Sequence, residues 1–351
     1  MKYPASILAL LAATPAAFAQ PTHHAEQKKL PEVRTFMEGF PLGAVAAPGL
    51  PGAFIHPDVP PGYVLIDGDI QVRASDYAAW LVGNGTFGTV SFWNGTVPFE
   101  FAANVSPANA QRAIDAMNEI SARANVNFVP RANQTDRIIF TDSTGNNSAV
   151  GRQGGPQFIN IFNWNVQIII CHELFHSLGF WHEQSRPDRD TYITIHLENV
   201  CQDCCSGQSC NGNFAIRDGA SIFGPYDFDS IMHYPSDGFS INGQDTITVN
   251  PPWNAQWQSV IGQRDHFSAL DSATCRGIYP FPSDRWWAPG APGNGAGTLT
   301  NPLTVGTFAG AYSATPAGGT LLIKNSGAYR AVGVYTKAMT IMAPAGASLG
   351  P

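Results

Sequence analysis

Between positions 172 and 182 the chain reads HELFHSLGFWH, three imidazoles and one carboxylate at the intervals H-E-x-x-H-x-x-G-x-x-H. Imidazole nitrogens bind zinc and carboxylates move protons, so the order of these residues decides what each can do. His172 and His176 stand four apart, and an α-helix sets such a pair about 40° apart and one turn up, on a single face. His182 lies ten residues beyond the first, about 15 Å along an unbroken helix, out of reach of an ion bound at roughly 2.0–2.1 Å. The helix must therefore stop in between. Gly179 is placed for that stop, because glycine accepts positive φ at little cost and can send the chain back until His182 meets the other two. Glu173, beside the first ligand, projects toward the open side of the ion, where it can take a proton from an attacking water. A bare HExxH arises by chance on amphipathic helices, with its histidines as ordinary polar-face or core residues. The added glycine and third histidine favour a metal site.

The elements that must hold these groups can be read on either side. TVPFEFA at 96–102 predicts a strand. Residues 107–124 predict an amphipathic helix opened by Ser106, with Ala110, Ala113, Ile114, Met117 and Ile120 along one side. Residues 126–129, 137–141 and 157–162 predict further strands, and the metal helix is expected from about Asn165. This order gives an α+β fold: a sheet with a helix against it, then the metal helix, then a longer and less regular half, with a cleft between the halves.

At 351 residues the chain has room for one sizeable domain with additions. Lys2, the apolar run Ile7–Leu11 and the ending Ala17-Phe18-Ala19 predict a secretory signal over residues 1–19, too short in its apolar run for a membrane span. The expected product is extracellular, with no membrane partner. A net charge of −7, charged residues at 13% and no basic block argue against nucleic acid as a partner. Residues 20–85 are rich in Pro, Gly and Ala and cannot bury much core alone. A catalytic domain is expected over 86–282, and a Gly/Pro linker with a small β-rich segment over 283–351. In that last stretch GGTLLI and AMTIM resemble the opening coil of right-handed parallel β-helix proteins.

All six cysteines lie from Cys171 onward. Four fall in CQDCCSGQSC, where local disulfides are favoured over a second metal knuckle in an oxidising compartment. Cys171 and Cys275 are expected to pair if their elements pack together, and otherwise Cys171 is a buried thiol. Asn-x-Ser/Thr sequons begin at Asn84, Asn94, Asn104, Asn133 and Asn146.

Three further motifs complete a pattern: Glu183 following the third histidine in HEQSRPDRD, SIMHY at 230–234, and GQRD at 262–265 leading to a helix that ends at Ile278-Tyr279. Over about Trp93 to Tyr279 the chain resembles an astacin-type zinc metalloendopeptidase of the metzincin clan. The resemblance implies that His172, His176 and His182 hold one zinc ion per chain and that Glu173 is the general base. It implies a Met-turn at Met232 and a transition-state hydrogen bond from Tyr234. It also makes Glu183 a structural anchor for a mature amino terminus, with Arg186, Asp188 and Asp190 in a polar network around it. VLIDGDI at 64–70 is similar to the aspartate-switch segment of astacin zymogens, which places Asp69 on the metal until the segment is removed. Family members usually carry a cysteine just before the FVPR-like strand and another before the VGR-like strand. This chain has Asn125 and the Asn146-Asn147 pair there.

The function implied is hydrolysis of peptide bonds in extended protein or peptide substrates by a monomeric, exported zymogen. A sheet edge at 148–152 or 157–162 is expected to take the substrate as an added strand. The alternative is a surface- or carbohydrate-binding protein whose C-terminal β segment targets the protease domain.

Overall fold

The computed structural model describes residues 44–81, 90–202, 209–289, 297, 302–324, 327–331, 334–343 and 347–350. The expected signal peptide, residues 20–43 and 82–85 of the expected propeptide with the sequon at Asn84, and Cys204 and Cys205 lie outside the described residues. The chain divides into two compact units. Among the described residues, one holds those of 44–222 together with Tyr226–Ser272; the other holds Phe223–Pro225 and those of 273–350.

The first unit is built on a nine-stranded sheet. Its strands are β1 (Val45–Ala46), β2 (Phe54–Ile55), β3 (Tyr63–Ile66), β4 (Ile70–Arg73), β5 (Thr96–Phe101), β6 (Asn127–Pro130), β7 (Arg137–Asp142), β8 (Asn147–Ala149) and β9 (Pro156–Ile161). Their spatial order is β1-β2-β3-β4-β8-β9-β7-β5-β6. Helix α1 (Ala74–Leu81) follows β4, and α2 (Pro107–Ser121) makes the crossover between the parallel strands β5 and β6. Ser106 caps α2 by accepting from the Asn109 N–H at 3.2 Å, with Pro107 in the first turn where a missing N–H costs nothing. The buried side of α2, with Ala113, Met117 and Ile120, packs on the metal helix α3 (Gln167–Leu178). Beyond α3 regular structure thins to short 3₁₀ turns and one small ladder, β10 (Ile193–Ile195) on β11 (Ile247–Val249). The short α4 (Asn254–Trp257) and then α5 (Ala269–Ile278) follow. An aromatic core of Phe214, Tyr226, Phe228, Tyr234 and Phe239 holds this half together.

Two expectations fail on strand order. The stretch 157–162 is no edge, because β9 lies between β7 and β8. Nor is β8 an edge: on the side away from β9 it is covered by β4, which runs parallel to it and pairs Ile70 with Ser148 and Gln71 with Ala149. Of the two outcomes expected for Cys171, the structure takes the buried thiol. Cys171 and Cys275 are both buried thiols and form no disulfide; burial pushes the Cys171 thiol well above its ordinary pKa. The sequon at Asn146 is also closed to a glycan. Its side chain is buried, donates to Asn163 Oδ1 at 2.7 Å and accepts from the N–H groups of Phe162 and Asn163 at 2.8 and 3.1 Å.

The second unit contains β12 (Arg285–Trp287), α6 (Phe308–Ala314), β13 (Thr320–Ile323), β14 (Gly327–Arg330), β15 (Thr340–Met342) and β16 (Ala347–Gly350). All its ladders are parallel: β12 on β13, β13 on β15, and β14 on β16. Thr320 pairs with Thr340 and Gly327 with Ala347, so both of the last two ladders join residues 20 positions apart. Trp287, Phe308, Leu321 and Ile323 form its core. The buried carboxylate of Asp284 closes one end, receiving Arg276 at 2.9 and 2.9 Å and the N–H groups of Phe281 and Thr320 at 2.9 and 2.8 Å.

Candidate active site

Helix α3 is buried on nearly every side, from Ile168 to Leu178, because its sequence is apolar all round apart from the groups of the motif. It ends where the glycine demands. Gly179 has φ of 110°, its N–H donates to His176 O at 2.8 Å, and the Phe180 N–H donates to Phe175 O at 3.0 Å, the paired bonds of a Schellman stop. No other residue fits: a Cβ here would also sit 2.6 Å from the Phe92 ring.

The returning chain brings His182 to the other two imidazoles. Around one carboxylate, Asp69 Oδ2 lies 3.3 Å from Nε2 of both His172 and His182, while Oδ1 lies 3.2 Å from His182 Nε2 and 3.8 Å from His176 Nε2. The four ligating atoms fall within 4.8 Å of one another, and all four residues are buried. Two far nitrogens are fixed by carbonyls: His172 Nδ1–H donates to Ile231 O at 2.7 Å and His176 Nδ1–H to Phe180 O at 2.8 Å. These bonds select the tautomer that leaves Nε2 free to ligate.

Burial pulls His172 down to about 3 and lowers His176. For His182 burial is outweighed by the carboxylates of Asp69 and Asp67, which lift it to about 9. Burial would raise Asp69, but the charge of His182 and the closeness of the imidazoles hold it well below the ordinary range. Glu173 goes the other way: burial and the neighbouring charge of Asp69 raise it well above 4.5. Both of its carboxylate oxygens are buried and have no partner among the described residues.

The SIMHY stretch forms a tight bend beside the triad. Asp271 accepts from Ser230 Oγ at 2.7 Å and from the Ile231 N–H at 3.0 Å, and the Met232 carbonyl accepts from the Glu183 N–H at 3.0 Å. Met232 is buried. Tyr234 lies with its ring centroid 4.7 Å from that of His182, and its hydroxyl donates to Asp67 O at 2.5 Å. Glu183 accepts from Arg186 Nη1 at 2.9 Å and from the Asp227 N–H at 2.8 Å; burial lifts it to about 7 against the pull of Arg186. Arg186 also forks onto Asp188 at 2.9 and 2.9 Å. Asp190 stands apart from that network, its exposed carboxylate meeting Arg189 at 3.1 Å.

The carboxylate at the centre of the triad is carried on a hairpin. Strands β3 and β4 pair antiparallel around the three-residue tip Asp67-Gly68-Asp69, with Ile66 opposite Ile70. Asp67 and Gly68 take φ of 52° and 79°, which turn the chain tightly enough to aim Asp69 inward. The Ser148 N–H of β8 donates to Asp69 O at 2.9 Å. The side chain of Asp67 is fully buried and ion-paired with the equally buried Arg217. Sequence reasoning passed over Asp67, Arg217 and Gln184, whose Oε1 receives the Tyr234 N–H at 3.0 Å. Arg217 offers no local signal, since it sits in an irregular stretch 150 positions from its partner.

With this geometry in hand, comparison with known proteins is informative. The family model for astacin, peptidase family M12A, matches residues 87–280. The chain belongs to the astacin family. Among curated astacin relatives, zinc metalloproteinase dpy-31 of Brugia malayi is 42% identical over 149 residues, covering 42% of this chain and 24% of its own length. High choriolytic enzyme 1 of Oryzias latipes is 36% identical over 197 residues, covering 54% of this chain and 69% of its own. The solved structure of that hatching-enzyme zinc-protease aligns with 35% identity and a TM-score of 0.46, covering 54% of this chain and 92% of that one. The match thus spans about a quarter of the dpy-31 protein.

Proposed function

We propose that this chain is a secreted zinc endopeptidase made as a zymogen, with His172, His176 and His182 as metal ligands and Asp69 as the group that caps the metal in the latent form. The residues fit zinc on the geometry alone. Three Nε2 atoms converge on one carboxylate, two of the rings are fixed by carbonyls, and Glu173 stands beside them with both oxygens unpartnered among the described residues. When bound, zinc supplies a Lewis acid that polarises the scissile carbonyl and eases deprotonation of water.

The protein residues do the rest. Glu173 takes the proton from the attacking water and returns it to the departing amine. Tyr234, released from Asp67 O, donates its hydroxyl hydrogen to the oxyanion. Met232 forms the bend that holds the triad from below, Gly179 the stop that brings in His182, and Glu183 the buried acid that receives a new amino terminus. The observation that carries this reading is the seat of Asp69 among three imidazoles.

The same reading assigns residues 1–19 to a signal peptide, 20–85 to a propeptide, 86–282 to the catalytic domain and 283–351 to a linker and β segment. It also assigns disulfides to CQDCCSGQSC, where Cys201 and Cys210 are buried and the Cys210 N–H donates to Cys201 O at 2.9 Å. The 20-residue spacing of two parallel ladders supports the opening coils of a β-helix in the last segment.

The test is caseinolysis by the processed protein. Activity should vanish with 1,10-phenanthroline and return with zinc, and Glu173→Gln should abolish it while one zinc per chain remains by metal analysis. Cleavage persisting in Glu173→Gln would refute the role of that residue.

A further inference from the structure

On β4, two positions past Asp69, a second side chain of the hairpin is buried in the body of the protein. Gln71 is 2% exposed, and its Nε2 donates to Asn147 Oδ1 at 2.6 Å and reaches Phe158 O at 3.4 Å. Asn147 on β8 and Asn160 on β9 are paired across the ladder, and both are completely buried. Asn160 Nδ2 donates to Asn147 Oδ1 at 2.9 Å and to Asp58 O, also at 2.9 Å. Two atoms of the pair, Asn147 Nδ2 and Asn160 Oδ1, have no partner among the described residues.

We propose that these two asparagines form a substrate subsite selective for a glutamine side chain, two residues from the residue seated at the histidine triad. The inference rests on the zymogen reading above, in which the hairpin withdraws and a substrate strand takes its track along β8. Withdrawal removes both Gln71 and Asp58 O, so a buried amide pair loses two of its bonds at once. A glutamine restores both because one primary amide both donates and accepts: its N–H₂ meets Asn147 Oδ1 and Phe158 O, and its oxygen accepts the Asn160 Nδ2 hydrogen that Asp58 O gives up or a spare hydrogen of Asn147 Nδ2. Glutamate would bring a charge against two acceptors, and leucine would leave the pair with no bond beyond the one from Asn160 Nδ2 to Asn147 Oδ1. Alternation along a strand keeps the side chains at positions 69 and 71 on one side, so the subsite and the triad read the same face of the bound peptide.

The test uses processed, zinc-loaded protein and quenched fluorescent peptides carrying Gln, Glu, Leu or Ala at each position within three residues of the scissile bond. At one position kcat/KM for Gln should exceed that for Leu and Glu by about tenfold, the scale set by stranding buried polar groups. Asn147→Leu should shrink the Gln-to-Leu ratio toward one, and Asn147→Asp should shift the preference away from Gln. The wild-type ratios decide the matter even where a variant does not fold. Peptides cleaved with no preference for Gln at any position would overturn the subsite and leave the endopeptidase reading standing. Failure to cleave any peptide would overturn both.

Discussion

Two stretches close around the same three imidazoles, and different forces hold them there. The Met-turn is tied by backbone groups: Ile231 O to His172, Met232 O to the Glu183 N–H, and the Ile231 N–H to Asp271. The hairpin of residues 63–73 adds to its short ladder on β8 a set of side-chain ties, with Asp69 on the triad, Asp67 on Arg217 and Gln71 on Asn147. Backbone ties persist as long as the fold does. Side-chain ties can be lost one at a time, and that contrast separates a permanent wall from a removable occupant.

Replacing Asp69 attacks the removable side most directly. The unprocessed Asp69→Ala chain should cleave casein at a rate on the order of a thousandfold above the unprocessed wild type, since a buried charge partner is removed and the open state is no longer rare. Equal silence of both chains would show that other contacts of the hairpin suffice for latency.

The permanent side should respond to acid. Burial, with a contribution from nearby Arg264, pushes His233 from 6.5 down to about 4, and the neutral ring donates to Tyr234 O at 2.6 Å while meeting the Tyr226 hydroxyl at 2.9 Å. The unfolded chain therefore takes up this proton before the native one does. The stabilisation is complete above pH 6.5 and drains away as the pH falls toward 4, by on the order of 3 kcal/mol. Urea midpoints of His233→Gln between pH 7 and 4 should fall less steeply than those of the wild type. Parallel curves would remove His233 from the account.

The smallest effect is expected at Asp67. Asp67→Asn keeps the turn but unpairs Arg217, and it should raise the activity of the unprocessed chain by about tenfold, well short of Asp69→Ala. A rise as large as that of Asp69→Ala would make the ion pair, rather than the triad, the main lock.

The parts legible in the sequence were those governed by short spacing. HELFHSLGFWH gave the helix, its stop at Gly179 and the meeting of three histidines, and VLIDGDI pointed to Asp69. The strands at 96–101 and 137–142 followed from local apolar pattern. Strand order did not, because the flanks of β9 depend on which segments meet across the sheet, and no local pattern encodes that. For the same reason Arg217 and Asn160 went unnoticed: each acquires its role from a partner about a hundred or more positions away. Counting cysteines left Cys171 between a disulfide and a buried thiol, and the fold decides for the thiol.

The shared 20-residue offset of the last two ladders has a consequence for tolerance to change. Gain or loss of a single residue between β13 and β15 would turn inward-facing side chains outward in one ladder and misalign the other. A whole added period would instead lay down one more tier in phase with those beneath it. This end of the molecule is thus open to lengthening by duplication, whereas the bend around the metal tolerates no such step.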